Sequence, residues 1–392
     1  MAQDIFNVIK QAQEMAHQFE KLQLPKTTGL NLFQSYFAKI LLLTLGESKE
    51  EHDSILELIA DIHTETTINE RRFLYSFFQQ VWDGKENVLE IGPFLGGSTR
   101  AMALGMMKNH NRDNNVRLYT YDRFDSYHAP EHLIGFLRPM FERGILGEPE
   151  KKAILENQGF LEVFDIIHRQ YDYYKLVVPQ RGVLRDVPPE LNESDAAYRH
   201  EMDSGNPFLI PAELAFSAVF VDGCKSWYGT KTFMRSVMPH TKEGCYYIFQ
   251  DYGTNTCFWI PVFLQIFKEY FQPVAYIDHT YTFQLTKPIP DSAFDTSFPD
   301  TPQGLTRADY ELIFKQLLSS SIFNQDTYTL LNYQLQHASV LAYLDYRDEA
   351  RSKIVDLLNS PFALTHRGWI LRALEHPTYD AHHKEINLFS TN

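Results

Sequence analysis

Six short apolar segments between residues 87 and 286 constrain the fold of this chain more than any other feature of its sequence. They are NVLEI (87–91), VRLYTYD (116–122), YKLVVP (174–179), SAVFVD (217–222), CYYIFQD (245–251) and YTFQLT (281–286). Helical patterns alternate with them, and near-continuous apolar strands are typical of a parallel sheet that is covered on both faces. The alternation predicts an α/β fold with a Rossmann-like, doubly wound and mostly parallel sheet.

The regions on either side of these segments have helical periodicity. The periodicity predicts a helical N-terminal region at residues 1–66 and a helical C-terminal region at residues 304–392. A segment rich in Pro and Asp, KPIPDSAFDTSFPDTPQG, precedes the C-terminal region and is interpreted as a linker. The domain between them covers residues 67–290. Residues 123–173 are too many for one crossover, so we expect an insert with a helix pair or a lid there.

The composition limits the partners and the compartment. Lys and Arg number 36 against 50 for Asp and Glu, which gives a net charge of −14. This charge repels a phosphate backbone, so we expect a small-molecule partner and no nucleic acid. The three cysteines form neither a metal motif nor a disulfide framework, as expected in a reducing compartment. Without a signal-peptide pattern or an apolar run of about 18 residues, we expect a cytoplasmic protein with no membrane partner.

The first strand candidate leads into VLEIGPFLGGST (88–99), which contains a glycine turn (residues 92–97). Glycines after a first strand allow a ligand to approach the backbone closely, beside the N-terminus of the next helix. A triphosphate-binding loop requires lysine where Ser98 stands, and a dinucleotide turn requires glycine where Phe94 stands. The glycine turn therefore disfavours both of these ligand classes.

Two carboxylates accompany the glycine turn. Glu90, at the end of the first strand, would repel a pyrophosphate and suits a cationic ammonium group. Asp122, at the end of the second strand, stands where an acidic residue can accept hydrogen bonds from a ribose diol. An amino acid joined to a ribose points to S-adenosylmethionine as the cofactor.

The segments LEIGPFLGGST and YTYDRFDSY resemble class I S-adenosylmethionine-dependent methyltransferases. They are similar to the branch that contains the macrocin-type sugar O-methyltransferases and the cephalosporin hydroxylase-like proteins, in which an Asp-x-Phe follows the second strand, as Asp122 and Phe124 do here. The similarity covers residues 67–290. The cofactor-binding residues that it implies are Glu90, Gly92, Pro93, Phe94, Gly96, Gly97, Ser98, Thr99, Asp122 and Arg123.

A second group of polar residues follows the fourth and fifth strand candidates. Asp222 ends one strand, and Gln250 and Asp251 end the next. Carboxylates at the carboxyl ends of neighbouring strands would lie close together, which suggests either a divalent metal site or a general base. In the related metal-dependent enzymes an Asp and two adjacent acids bind a magnesium-type ion, and Gln250 replaces one of those acids here. The resemblance thus implies an Mg²⁺ site at Asp222, Gln250 and Asp251, and catalytic roles for Asp222 and Asp251.

Relatives that lack a metal carry a histidine where Lys225 stands. Lys225 could act as a base if its pKa were lowered, and otherwise it would anchor the substrate through its charge. His128 and His168 are weaker candidates for the base, because most single histidines have structural roles.

These features predict a methyltransferase that transfers a methyl group from S-adenosylmethionine to an oxygen, or less readily a nitrogen, of a small acceptor. The resemblance favours a sugar or specialised-metabolite hydroxyl, as in natural product biosynthesis. Two alternatives stay open. One is a protein that binds S-adenosylmethionine without catalysis and acts as a scaffold or subunit, and the other is a hydroxylase-like oxidoreductase. The helical ends could also support a homo-oligomer.

Overall fold

The computed structural model describes residues 49–125, 128–186, 188, 207–223, 226–319, 327–377 and 388. The chain divides into two compact units. The first unit comprises Ile40–Leu184 and Asp195–Gly223, and the second comprises Met1–Lys39, Arg185–Ser194 and Cys224–Asn392. The predicted bounds of the central domain, 67–290, do not coincide with this division and stay a prediction.

The first unit contains helices and strands in alternation. Its described helices are α1 (Lys49–Ala60), α2 (Ile68–Gln80), α3 (Gly97–Lys108), α4 (Pro130–Glu142), α5 (Glu148–Leu155) and α6 (Leu161–His168). Its strands are β1 (Asn87–Ile91), β2 (Leu118–Asp122), β3 (Val177–Arg181) and β4 (Phe216–Val221). All four strands lie within two or three residues of segments predicted from the sequence.

The strands of the first unit form a parallel sheet in the order β3-β2-β1-β4. Strand β1 is central, with Glu90 paired to Thr120 of β2 on one side and to Phe220 of β4 on the other. Four of the five residues of β1 are buried, as expected for a strand that is covered on both faces. This arrangement confirms the predicted α/β, Rossmann-like fold class, and it places the carboxyl ends of β1, β2 and β4 side by side.

Helix α2 fixes the position of α3, the helix that follows the glycine turn. A capping box between Thr67 and Glu70 starts α2. Further along, a Cβ at Gly105 of α3 would overlap the carbonyl oxygen of Tyr75, so only glycine allows the two helices to pack this closely. The Asn109 side chain donates to the carbonyl of Phe78 at 2.9 Å, just beyond the end of α3. Helix α3 is therefore held along its length.

The second unit combines an antiparallel sheet with a set of helices. Its strands are β5 (Thr241–Phe249), β6 (Phe271–Ile277) and β7 (Thr280–Leu285), in the order β5-β7-β6. Its described helices are α7 (Trp227–Val237), α8 (Trp259–Ile266), α9 (Asp291–Ser297), α10 (Arg307–Ser319), α11 (Thr327–Tyr343), α12 (Arg347–Leu358) and α13 (Ala363–Glu375). Helices α10 to α13 lie within residues 304–392, where the sequence predicts a helical C-terminal region, and the bounds of that region stay a prediction.

Strand β6 was not predicted from the sequence. Its Pro273 lacks the N–H that a ladder requires, which argues against a strand. The pairing with β7 shifts its register between Pro273 and Ala275, and β6 is the last strand in the sheet order, so both features accommodate the proline. The hairpin turns at Asp278 and His279 without a glycine, and Asp278 takes a left-handed φ of 48°. The usual sequence signal for a hairpin is therefore absent.

The insert and the linker are more ordered than the sequence indicates. The insert at 123–173 contains three helices, α4 to α6, where a helix pair or lid was expected. The predicted linker contains α9, in which Phe294 is buried, and is followed by the buried Phe298. The Phe298 ring stacks on Trp227 with a centroid distance of 4.1 Å. These aromatic rings make the segment part of the core of the second unit.

Two further predictions concern regions outside this core. Of residues 1–66, predicted to be helical, residues 1–48 lie outside the described part of the chain, and α1 lies within it. Among the described helices, none combines the length and the apolar character that a membrane crossing requires.

We expect Phe294→Ala to lower the free energy of unfolding by about 3–5 kcal/mol, the cost of emptying a buried aromatic site. Leu312→Ala is the matched control, because Leu312 is 55% exposed, and it should change stability by less than about 1 kcal/mol. Urea unfolding of the full chain measures both values. Equal effects of the two variants would show that residues 287–304 are a linker after all.

Candidate functional site

The glycine turn joins β1 to α3 through a compact backbone. Gly92, Phe94 and Gly96 have left-handed φ values of 84°, 50° and 88°. The N–H of Gly96 donates to the carbonyl of the buried Pro93 at 2.8 Å, and Gly97 begins the helix. A non-glycine residue rarely adopts a positive φ, so Phe94 is held in place by its surroundings.

Two of the glycines in the turn pack so closely against other parts of the protein that a side chain would not fit. A Cβ at Gly92 would lie 2.7 Å from the backbone nitrogen of Gly223, which follows β4. A Cβ at Gly96 would overlap Nε2 of the His168 imidazole. From the sequence, close approach of a ligand is the expected reason for these glycines. The structure gives each of them a packing reason as well.

Glu90 lies in the interior, between β1 and the start of α3. Its carboxylate accepts hydrogen bonds from Oγ of Ser98 and Oγ1 of Thr99, each at 2.6 Å, and its side chain has no exposed surface. Burial raises the pKa of Glu90 to about 7, while the two hydroxyl donors act in the opposite direction. Glu90, Ser98 and Thr99 therefore tie the first turn of α3 to the central strand. The predicted contact between Glu90 and a ligand ammonium stays a prediction.

Asp122 connects the ends of β1 and β2. Its carboxylate accepts hydrogen bonds from the backbone N–H of Phe124 at 2.8 Å and of Phe94 at 3.3 Å. Burial raises its pKa to about 6, although the residue keeps some exposed surface. Next to it, the half-exposed Arg123 pairs with Asp125 at 3.2 Å. Asp122 thus contacts the backbone of the glycine turn.

The ring of Phe94 belongs to a half-buried aromatic cluster. It makes edge contacts with His63, His128, Phe136 and Phe160, at centroid distances of 5.2 to 6.4 Å. His63 and Phe136 stack face to face at 3.9 Å. His63 and Phe136 had not been selected from the sequence, because they lie 73 residues apart and share no motif. His128 lies beside Phe94 but is also 3.7 Å from Glu65.

A buried series of hydrogen bonds from Arg100 through Tyr173 and His168 contacts the glycine turn at the carbonyl of Leu95. Nε of Arg100 is 2.7 Å from Oη of Tyr173, and Oη of Tyr173 is 2.7 Å from Nδ1 of His168. Nε2 of His168 is 2.9 Å from the carbonyl oxygen of Leu95, within the glycine turn. Because both ring nitrogens are occupied and the ring has no exposed surface, the hypothesis that His168 is a catalytic base is wrong.

The second predicted group of residues is divided between the two units. Asp222 follows β4, and its N–H donates to the carbonyl of Ile91 at 2.9 Å, so it lies beside the end of β1. Lys225 lies outside the described residues. Gln250 and Asp251 belong to the second unit, where Gln250 is buried and Asp251 has a φ of 66°. Over the described ranges, no three or more His, Cys, Asp or Glu side chains form a group suited to a metal ion.

Helix α11 holds the segment that carries Asp251. Nε2 of Gln336 donates to the carbonyls of Tyr252 at 2.7 Å and Thr254 at 3.0 Å. The hydroxyl of Tyr333 is 2.8 Å from that of Tyr252. Helix α11 belongs to the helical C-terminal region, outside the residues 67–290 that the resemblance covers. It nevertheless binds the backbone at Tyr252, next to the predicted catalytic residue Asp251.

The chain matches no protein-family model and no curated protein. Solved structures do match it. They include the O-methyltransferase NovP, with a TM-score of 0.39, 14% identity and coverage of 64% of this chain and 100% of that chain. The TDP-rhamnose 3′-O-methyltransferase of calicheamicin biosynthesis matches with a TM-score of 0.36, 13% identity and coverage of 64% and 92%. The O-methyltransferase TomG from Streptomyces achromogenes matches with a TM-score of 0.32, 13% identity and coverage of 67% and 100%.

All three proteins are O-methyltransferases, the enzyme class that the motifs of this chain resemble. At 13–14% identity the likeness concerns the fold alone. The geometry of the glycine turn is the basis for a function.

We expect the buried Glu90 to make stability depend on pH. Its pKa of about 7 in the folded chain lies above the ordinary value of 4.5, so its contribution is fully present below pH 4.5 and is lost as the pH rises through 7. Relative to Glu90→Gln, the wild-type chain should lose roughly 3 kcal/mol of unfolding free energy over this window, since one pKa unit corresponds to about 1.4 kcal/mol.

Urea unfolding at several pH values between 4.5 and 8 measures this difference. Glu162→Gln makes the same chemical change at an exposed position and serves as the control. A difference between wild type and Glu90→Gln that does not vary with pH would contradict the assignment.

Proposed function

We propose that this chain is a methyltransferase that binds S-adenosylmethionine at the glycine turn and methylates an oxygen of a small acceptor. The observation that carries the proposal is the position of Asp122. Its carboxylate accepts a hydrogen bond from the backbone N–H of Phe94, in the turn itself, and the residue keeps some exposed surface at the carboxyl edge of a parallel sheet. Ligands of open α/β sheets bind at that edge.

The hydrogen bonds of Asp122 suit a ribose diol. The backbone donors of Phe94 and Phe124 bind different oxygens of the carboxylate. The backbone N–H of Arg123 also acts on this carboxylate. An ionised carboxylate has about four acceptor sites, so these three donors leave capacity for about one more. A ribose hydroxyl is such a donor, so the residues present fit the ribose of the cofactor.

Glu90 would act on the cofactor through its charge. A cation near the first turn of α3 favours the ionised form of a carboxylate, so a bound sulfonium or ammonium would lower the pKa of Glu90 from about 7. For direct contact, the ammonium would have to reach a carboxylate that Ser98 and Thr99 already bind. The same negative charge disfavours a nucleotide phosphate.

The chemistry required of the protein is modest. The cofactor supplies an activated methyl group, and the chain aligns an acceptor with it and assists removal of the acceptor proton. We assign the second task to Asp222 and Asp251, with Gln250 assisting or with Lys225 as base. Carboxylate and amide oxygens are ligands that Mg²⁺ accepts, so the metal assistance that the sequence predicts is kept as part of the proposal. A sugar or specialised-metabolite hydroxyl is the acceptor that we favour over a nitrogen.

Binding of the cofactor tests the proposal directly. In calorimetric titrations of the full chain with S-adenosylmethionine and S-adenosylhomocysteine, Asp122→Ala should weaken binding by at least about tenfold, because hydrogen bonds to a charged group contribute about 1.5–3 kcal/mol. Asp125→Ala, which removes a nearby surface carboxylate, is the control and should bind like the wild type. If the wild-type chain binds neither ligand, the proposal is wrong.

Transfer of a radiolabelled methyl group to sugar and phenol hydroxyls tests the reaction. We expect product with at least one acceptor, and Asp251→Asn should reduce its rate by about a hundredfold or more if Asp251 assists proton removal. Parallel reactions in EDTA and in Mg²⁺ separate metal assistance from assistance by Lys225. Tight cofactor binding without transfer to any acceptor would instead support a scaffold role.

A further inference from the structure

In the buried series of hydrogen bonds from Arg100 to Leu95, each donor and each acceptor can be assigned. Arginine can only donate, so Oη of Tyr173 accepts from Nε of Arg100 at 2.7 Å. The single phenolic proton is then free to bind Nδ1 of His168, also at 2.7 Å. A neutral imidazole that accepts at Nδ1 carries its proton on Nε2, which donates to the carbonyl of Leu95 at 2.9 Å. Each donor in the chain thus has one acceptor.

The imidazole stays neutral in these surroundings. Burial lowers the pKa of His168 to about 3, and the positive charge of Arg100 acts in the same direction. The ring is held between aromatic neighbours, with Phe164 at 4.4 Å and Tyr174 at 5.9 Å between centroids. Its orientation and its tautomer are therefore both determined by the fold.

The ring also fills the space that Gly96 leaves open. A side chain at Gly96 would overlap the imidazole, and Nε2 of the same ring binds the carbonyl of the preceding residue, Leu95. One side chain thus contacts two consecutive residues of the glycine turn. Gly96 has a left-handed φ of 88° and no side chain of its own, so contacts from neighbouring residues such as His168 are what hold its backbone in this conformation.

Arg100 anchors the other end of the chain. It lies in the first half of α3, with 1% of its side chain exposed. Its Nη1 donates to the carbonyl of Leu58 at 2.9 Å and lies 3.5 Å from Asp61. The guanidinium also stacks over the ring of Tyr171 at 4.7 Å. The series of hydrogen bonds therefore starts at Arg100 on α3, the helix that follows the glycine turn. It passes through Tyr173 and His168 of the insert and ends at Leu95 in the turn.

We propose that His168 is a positioning residue, which holds the Leu95–Gly96 segment in the conformation that binds the cofactor. This inference rests on the proposed function, since the ligand of the glycine turn is S-adenosylmethionine there. A backbone that is already in its bound conformation loses less entropy on binding, so the support from His168 contributes to affinity without contact with the ligand.

Two amide variants test the hydrogen bonds at Nε2 and at Nδ1 of the imidazole one at a time. In His168→Gln the side-chain amide nitrogen reaches the place of Nε2 and can still donate to Leu95. In His168→Asn the shorter side chain reaches only the place of Nδ1, next to Tyr173. We expect His168→Gln to bind S-adenosylhomocysteine within about threefold of wild type, and His168→Asn and His168→Ala to bind it at least about tenfold more weakly.

Thermal unfolding of each variant measures its stability, and hydrogen exchange measures the opening of the glycine turn, for comparison with the affinities from calorimetry. His168→Asn and His168→Ala should also raise the exchange rate of amides in residues 92–99, and His168→Gln should not. Phe294→Ala, at a buried site of the second unit, provides a variant that lowers stability and leaves the affinity unchanged. If Gln and Asn weaken binding equally, or if binding follows stability alone, His168 has only a general structural role and the proposal is wrong.

The tautomer provides a readout that does not need the cofactor. In nitrogen-15 spectra of the full chain, His168 should carry its proton on Nε2, and a proton on Nδ1 would overturn the directed chain. If the wild type binds neither S-adenosylmethionine nor S-adenosylhomocysteine, the proposed function fails. The spectra and the exchange rates still decide whether His168 positions the turn.

Discussion

The geometry of the site depends on the burial of one carboxylate in the middle of a parallel sheet. Glu90 lies on the central strand β1 without exposed surface, and a buried charge is costly unless hydrogen bonds satisfy it. Ser98 and Thr99 supply these bonds at 2.6 Å, and both lie in the first turn of α3. Helix α3 must therefore begin directly above β1, which requires the five residues between them to turn sharply.

The remaining contacts hold that turn in one shape. Asp122, from the neighbouring strand, binds the backbone of Phe94, and His168, from the insert, binds the carbonyl of Leu95. Helix α6 thus has a structural task in addition to any role as a lid. The aromatic cluster around Phe94 has a similar effect, since a positive φ at a phenylalanine persists only where its neighbours determine it. The turn is rigid because strand, helix and insert all contact it.

The sequence predicts the sheet and the position of the turn, because both depend on local patterns. It does not predict the support of the turn, since Arg100 and Tyr173 are 73 residues apart and no motif joins them. The sequence offers His168 only as a weaker candidate for the base. Its spacing of four residues from Phe164 in LEVFDIIH places both on one helix face, and that face is buried. Strand β6 and helix α9 were missed because prolines near them suggested loops.

The charges around the glycine turn give a separate argument about its ligand. Near neutral pH, Asp122 is mostly ionised, Glu90 is close to its pKa, and His168 is neutral. The buried cation Arg100 is committed to Tyr173, Leu58 and Asp61. The turn therefore lies beside carboxylates that a cationic ligand would stabilise in their ionised form, whereas a phosphate would raise their pKa values further. The charges thus favour a cationic ligand over a nucleotide phosphate, in keeping with the proposal of S-adenosylmethionine, which combines a sulfonium, an ammonium and a ribose diol.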